Sequence, residues 1–196
     1  MAKGPRYRRP LRRRAEGKTN YHRRLRLIKS RKLRAIIRAS ENHITVQIIK
    51  SKRGGDEILA SAHSKELPKN FDWDANTGNI PAAYLTGYLA GLRAKKEGIE
   101  EAILDLGLFY HRNRVLAAFK GILDAEIEIP HRDEFFTGSL EERIDGSHIE
   151  DYAQLLKKED PEAYEQVFSG YLQSKIKPEK FTKVVENTRN KIESNV

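Results

Sequence analysis

The chain has 196 residues, 38% of them apolar and 8% aromatic, enough for one packed body with appendages. It contains no Cys, which excludes disulfides, thiolate metal sites and a cysteine nucleophile and points to a reducing compartment. The net charge of +9 is unevenly placed: residues 1 to 40 hold sixteen Lys or Arg against the single acid Glu16, while the remainder sums to −6.

A basic arm on a mildly acidic body implies a polyanionic partner. No apolar run approaches the roughly 20 residues that cross a bilayer, and no signal segment or membrane partner is expected. Between residues 1 and 19 the arm carries Gly4, Pro5, Pro10 and Gly17 among its cations, a composition expected to order only against something negative. Tyr7 and Tyr21 lie between arginines, a mixture suited to RNA because guanidinium grips phosphate bidentately and a tyrosine ring stacks on an unpaired base. A merely solvated tail is the competing reading. From Asn20 onward Tyr21, Leu25, Ile28 and Leu33 recur at helical spacing among Arg23, Arg24, Arg26 and Arg31, predicting a basic helix docked by a narrow apolar stripe. Gly17-Lys18-Thr19 imitates the end of a phosphate loop. That pattern requires Gly where Arg12 stands and a hydrophobic strand before it, so no nucleotide site is expected.

Three β-like runs follow, Arg34 to Ala39, Ile44 to Lys50 and Glu57 to His63, joined by short turn-rich connections that favour an antiparallel meander. In the second run Ile44, Val46 and Ile48 alternate with Thr45 and Gln47, which buries one sheet face and leaves the other as an RNA platform or an ordinary solvated face. The connection 64–78 holds the only Trp, Trp73, read as a plug at the core edge. Asn79 and Pro81 open a helix that runs to about Lys96, with Ala83, Gly87, Gly91 and Ala94 as a small-residue stripe expected to lie close to the sheet. A buried strand at 101–106, a helix at 112–125 and an alternating edge strand at 126–129 complete an α/β body of roughly five strands in a mixed sheet with helices on its faces.

Residues 132 to 196 hold ten basic and fourteen acidic side chains and three helix starts: a capping box from Ser147 to Glu150, Asp160-Pro161, and Pro178. The expected division is an arm with its helix at 1–33, a body at 34–131 and a helical extension at 132–196. Catalytic constellations are wanting. The six histidines are scattered, no GxSxG elbow occurs, and Asp105 at a strand end has no second acid placed to share a metal, so it reads as a turn-former rather than half of a nuclease site. The chain is read as non-catalytic, with two other classes open: a nuclease or other enzyme on the same sheet, and an architectural DNA-binding or chaperone-like protein.

The segments GPRYRRPLRRRAEGKTNYHRRLRLIKS, ASENHITVQII, TGNIPAAYLTGYLAGLRAKKEGIEEAILDLG and FYHRNRVLAAFKGILDAEIEIPH, in that order, closely resemble the 5S-RNA-binding family of large-subunit ribosomal proteins numbered eighteen in the universal nomenclature, in its archaeal form. The resemblance covers residues 3 to 150 and continues in outline beyond. It implies a three-layer fold with a mixed five-stranded sheet, no cofactor, and a cytoplasmic place in the ribosome. The implied partners are 5S ribosomal RNA, large-subunit RNA and neighbouring proteins of the central protuberance, with no homo-oligomer. Carried over position by position, the implied RNA contacts are Arg6, Tyr7, Arg8, Arg9, Arg12, Arg13, Arg14, Lys18, Asn20, Tyr21, Arg23, Arg24 and Arg26 on the arm and its helix. A second group comprises Ser40, Asn42, His43 and Gln47 on the hairpin and Thr77, Gly78 and Asn79 at the helix start. His111, Arg112 and Arg114 match the family's YHxRV-like run, where they either touch RNA or open the helix. Glu41 departs from the basic or neutral residue expected in its turn.

Overall fold

The computed structural model describes residues 4–108, 113–136 and 138–196. After α1 (Arg12–Ala15) and α2 (Tyr21–Lys29) of the arm come β1 (Arg34–Ala39), β2 (Ile44–Lys52) and β3 (Gly55–His63), an antiparallel meander. Then follow α3 (Glu66–Asn70), α4 (Ile80–Lys96) and β4 (Ile103–Asp105), which pairs in parallel with β1 to give the strand order β3-β2-β1-β4. Period-two alternation puts Ala35, Ile37, Ile44, Val46, Ile48, Ala60 and Ala62 on the core face, all buried.

The sheet has four strands rather than five. Residues 126–129 contribute one isolated parallel bridge, Glu101 to Glu128, held by Ala102 N–H donating to Glu128 O and Glu128 N–H to Glu100 O. The run is cut at both ends: Glu126 takes a left-handed φ of 66°, and Pro130 has no N–H to continue a ladder.

Helix α4 opens where its caps predict. The Asn79 side-chain oxygen accepts from Ala82 N–H at 2.8 Å, and Pro81 sits in the first turn, where its missing donor costs nothing. With α5 (Asn113–Asp124) it covers a single face of the sheet, α4 over β2 and β3 and α5 over β1. The small-residue stripe of α4 meets α5, not the sheet. A Cβ on Gly87 would lie 1.9 Å from Ala118 O, and one on Gly121 of α5 would lie 2.2 Å from Tyr84 O, so the two backbones touch only because both positions lack side chains. Leu85 and Leu89, fully buried, fill the sheet side instead.

The extension contains α6 (Leu140–Asp145), α7 (Ser147–Glu159), α8 (Pro161–Val167), α9 (Ser169–Gln173) and α10 (Phe181–Asn195), with 3-10 turns at Asp133–Phe135 and Pro178–Lys180. It packs on α4 through α6 and α10 and on α5 through α6. Phe181 meets Trp73 edge-on at 5.8 Å, and both rings are 0% exposed. Tyr88 donates to Glu193 at 2.8 Å beneath the Arg189 guanidinium. A smaller core of Ala153, Tyr164 and Phe168 holds α7 to α8.

Of the expected helix starts, Asp160 caps α8 by accepting from Ala163 N–H at 3.0 Å. The Ser147 box does not form. Gly146, at φ 84°, occupies the cap position, Ser147 Oγ donates to Glu142 O, and Glu150 accepts from Thr182 N–H and Oγ at 2.8 and 2.6 Å, which ties α7 to the start of α10. A tertiary acceptor role has outcompeted the local one.

Candidate nucleic-acid interface

The sheet face away from α4 presents Arg34, Ile36 and Arg38 of β1 beside Gln47 and Thr45 of β2 and Asp105 of β4. A buried arginine needs acceptors on all sides. Arg34, 0% exposed, donates to Asp105 at 2.8 Å, to Asp56 at 2.9 Å and to Ser51 Oγ. Asp105 also accepts from Arg38 at 3.2 Å and from Gly107 N–H at 3.0 Å, so its turn-forming role is real and accompanied by two ion pairs.

Helix α2 is rooted on this network. Arg24 donates to Asp56 at 2.8 Å and Arg23 to Gly107 O at 3.2 Å. Burial alone would raise the Asp56 carboxyl, but hydrogen bonds and charge from Arg24 and Arg34 outweigh it and hold its pKa below the usual value. Burial pushes the Arg23 guanidinium down against the opposing pull of Asp105. Of the expected apolar stripe, Leu25 is 52% exposed and Ile28 36%, and of its members on α2 only Tyr21 is half-buried, beside Leu27, Arg23 and Arg24, so the helix is held chiefly by its arginines. The charged groups win because the sheet face beneath offers two carboxylates.

Between α1 and α2, Asn20 caps α2 by accepting from Arg23 N–H at 3.2 Å, and Arg13 donates to Thr19 Oγ at 2.9 Å. These residues, with Lys18, Arg23, Arg24, Arg38 and Asp105, enclose a crevice of about 70 Å³ at the foot of the arm. Beyond it the arm is bare. Every described residue from Gly4 to Lys18 is exposed; Arg6, Arg8, Arg9 and Arg14, like Arg26 on α2, have no ion pair among the described residues. Arg12 and Lys18 share Glu16 at 3.8 and 2.8 Å in exposed pairs of the kind worth little in water. Tyr7 presents its ring to solvent at 48% exposure.

The second predicted group converges on the β1–β2 turn, which begins two residues beyond Arg38. Ser40 Oγ both donates to His43 O and accepts from its N–H. Thr77 Oγ donates to Asn42 O at 3.0 Å, Gly78 packs on the Asn42 backbone, and Arg114 donates to Glu41 O at 2.7 Å and Gly78 O at 3.1 Å. His43 Nδ1 lies 3.0 Å from Thr77 Oγ and 3.2 Å from Ser64 Oγ. These side chains, with the Asn79 cap, shape the turn and clamp it to the mouth of α4, leaving Ser40, Glu41 and Asn42 exposed at the tip. The Glu41 position serves through its carbonyl. Gln47 stands apart, half-exposed at mid-sheet opposite Ile36 and Ser61. His111 and Arg112 lie outside the described residues.

Sequence reasoning gave Arg38 no role, although period-two spacing from Arg34 already placed it on the polar sheet face. Its guanidinium donates to Ile37 O and Asp105 O as well as the carboxylate, joining the crevice to the turn. Among the described residues no group of three or more His, Asp or Glu is placed to hold a metal ion, and no helix is long and apolar enough to cross a membrane. What the arrangement offers is a strip of unpaired cations continuous with a crevice and a polar turn, the chemistry of phosphate and 2′-hydroxyl recognition.

Comparison with known proteins agrees with that chemistry. A family model described as "Ribosomal large subunit proteins 60S L5, and 50S L18" matches residues 5–100. The chain is 49% identical to "Large ribosomal subunit protein uL18" of Aeropyrum pernix over 98% of its own length and 90% of that protein. It is 45% identical to the protein of the same name from Sulfurisphaera tokodaii, over 99% and 98% of the two chains.

Proposed function

Because the chain belongs to the uL18 family of large ribosomal subunit proteins, we propose that it binds 5S ribosomal RNA and helps attach it to large-subunit RNA in the central protuberance, beside neighbouring ribosomal proteins. It is a structural constituent of the ribosome and not an enzyme. The observation that carries the 5S RNA reading is the division of the arginines: Arg34 and Arg38, with Arg23 and Arg24 of α2, are spent on Asp56, Asp105 and backbone carbonyls, while Arg6, Arg8, Arg9, Arg14 and Arg26 are exposed without ion pairs among the described residues. The first set aims the second.

The mechanism is polyelectrolyte exchange followed by shape reading. Arm cations displace counterions from phosphates and supply affinity, while the crevice and the β1–β2 turn meet helix backbones, 2′-hydroxyls and unstacked bases. With roughly eight phosphate contacts, log K against log salt should slope at about −6. The test compares the full chain with a truncation of residues 1–18, which spares the Arg23 and Arg24 root, for binding a 5S RNA transcript across a salt series. Weaker binding and a shallower slope are expected. Unchanged affinity and slope would falsify the arm's role, and equal affinity for duplex DNA in competition would favour a general architectural binder instead.

A further inference from the structure

The connection between α3 and α4, residues 71–79, is held at both ends by distant parts of the chain. Its far end clamps the β1–β2 turn: Thr77 Oγ donates to Asn42 O, and a Cβ on Gly78 would stand 3.1 Å from the Asn42 backbone. Its near end is gripped by the extension. Phe181, which opens α10, meets Trp73 edge-on, and Lys191, about three turns further along, pairs with Asp72 at 2.6 Å. That ion pair is exposed and worth little in water, so the sealed rings carry the grip.

Phe181 has little freedom of its own. It lies edge-on to Tyr171 at 5.5 Å, and its ring fills the space beside Gly146, where a Cβ would come 2.5 Å from Cδ1. Next to Trp73 the chain bends sharply, Asp72 taking a left-handed φ of 52° between the buried Phe71 and Trp73. Asn76 then joins the two ends of the connection. Its carbonyl accepts from Trp73 Nε1–H at 3.3 Å, and its side-chain oxygen accepts from Gly78 N–H at 2.7 Å. A displacement of the Trp73 ring is therefore passed to Gly78 through one residue, because a close-packed interior transmits strain and does not absorb it.

We propose that the extension positions the RNA-reading turn: Phe181, through Trp73 and Asn76, sets where the exposed Ser40, Glu41 and Asn42 stand. The proposal rests on the reading above that this turn meets 5S RNA. Phe181 and Trp73 are both 0% exposed, so neither touches RNA, and they act only through the backbone they hold. With the ring contact loosened, Thr77 and Gly78 would tie the turn to a moving support, and ordering it on binding would cost affinity. No cation leaves the interface, so the salt dependence stays as it was.

The experiment compares the full chain with Phe181→Leu, which keeps an apolar side chain in the core but loses the ring edge, and with Asn76→Ala, which cuts the bond to Gly78 N–H at an exposed residue. Amide exchange is followed at His43 and Gly78, and affinity for a 5S RNA transcript across a salt series. Expected in both variants are faster exchange at the two amides and binding weaker by about three- to tenfold, with an unchanged slope. The double variant should bind no more weakly than the weaker of the two single variants, whereas Phe181→Leu combined with Arg9→Ala should lose the product of the separate effects. Should Phe181→Leu melt early, Trp73→Phe, which removes the donor to Asn76 O and leaves a ring against Phe181, takes its place with the same readouts. Unchanged exchange and affinity overturn the proposal, as does a shallower slope or an additive double variant. Undiminished 5S RNA binding by Asn42→Ala would instead defeat the reading that the turn meets RNA, and exchange at His43 and Gly78 would still decide whether the extension sets the turn.

Discussion

Arg34 and Asp105, 71 residues apart in sequence, meet on the sheet face as a buried ion pair with Nη1 to Oδ2 at 2.8 Å. The pair joins β1 to the parallel strand β4, and through Asp56 and Arg24 it also carries α2. A charge left behind in such a site is costly, on the order of 3–5 kcal/mol when one partner is removed. Asp105→Asn should therefore lower stability by about 3 kcal/mol in urea unfolding, and Arg34→Met should cost less, because it removes the buried cation itself.

The α4–α5 contact depends on two missing side chains. Gly87→Ala would drive a methyl into the Ala118 carbonyl, and since that neighbour is backbone it cannot turn aside. A loss of about 3 kcal/mol is expected in denaturant titration. Gly54→Ala, in an open turn with nothing within 4 Å, should change little.

Exposed arm cations should contribute to binding without contributing to folding. Arg8→Ala, Arg9→Ala and Arg14→Ala combined are expected to leave the thermal midpoint within about 1 °C while the salt slope for 5S RNA becomes shallower by about 2. Arg24→Ala is the contrasting case, because it cuts the bond to Asp56 and should shift both stability and binding.

A histidine pair under the hairpin should give the fold a pH dependence. Burial, the neighbouring His43 and Lys65 lower the pKa of His63 below its usual 6.5, and its Nδ1 accepts from Lys65 N–H at 3.0 Å, which requires the unprotonated nitrogen. For a group depressed on folding, the stabilisation is complete above the unfolded value and is lost as pH falls through the folded one. Stability should decline on acidification below about pH 6.5, and His63→Gln should flatten that part of the curve. An unaltered profile in the variant would assign the dependence elsewhere.

Phe181 is the contact by which α10 grips the body, and Trp73 reports on it directly. Phe181→Ala should cost about 3–4 kcal/mol and shift the emission of the single tryptophan to longer wavelength as water reaches the ring. Emission unchanged from wild type would mean that Trp73 is sealed without the extension.

Much of the body could be read from the chain by local rules. The alternation of Ile44, Val46 and Ile48 fixed a half-buried strand, Asn79 and Asp160 each capped the helix that follows, and buried Trp73 is the plug its surroundings suggested. The same rules failed where a residue's local option competed with a distant one. Ser147 and Glu150 had the spacing of a capping box, but Glu150 is taken by Thr182, 32 residues on. Leu25 and Ile28 had the spacing of a docking stripe, but the carboxylates of Asp56 and Asp105 drew the helix down on its arginines instead. Alternation at 126–129 predicts a fifth strand, but the left-handed φ of Glu126, which no periodicity encodes, breaks the run.

By itself the sequence determined the excess of positive charge on the arm, the absence of cysteine chemistry, the meander and the partner's polyanionic nature, because composition and short-range spacing act through neighbours within a few residues. Only the tertiary structure decided which arginines are structural and which are exposed. That choice depends on Asp105 and Asp56 coming within hydrogen-bond reach of Arg34, Arg38 and Arg24 through strand register and a parallel crossover. It likewise decided that Phe181 and Lys191 of the extension grip the connection at Trp73 and Asp72, since no local spacing relates residues so far apart in sequence.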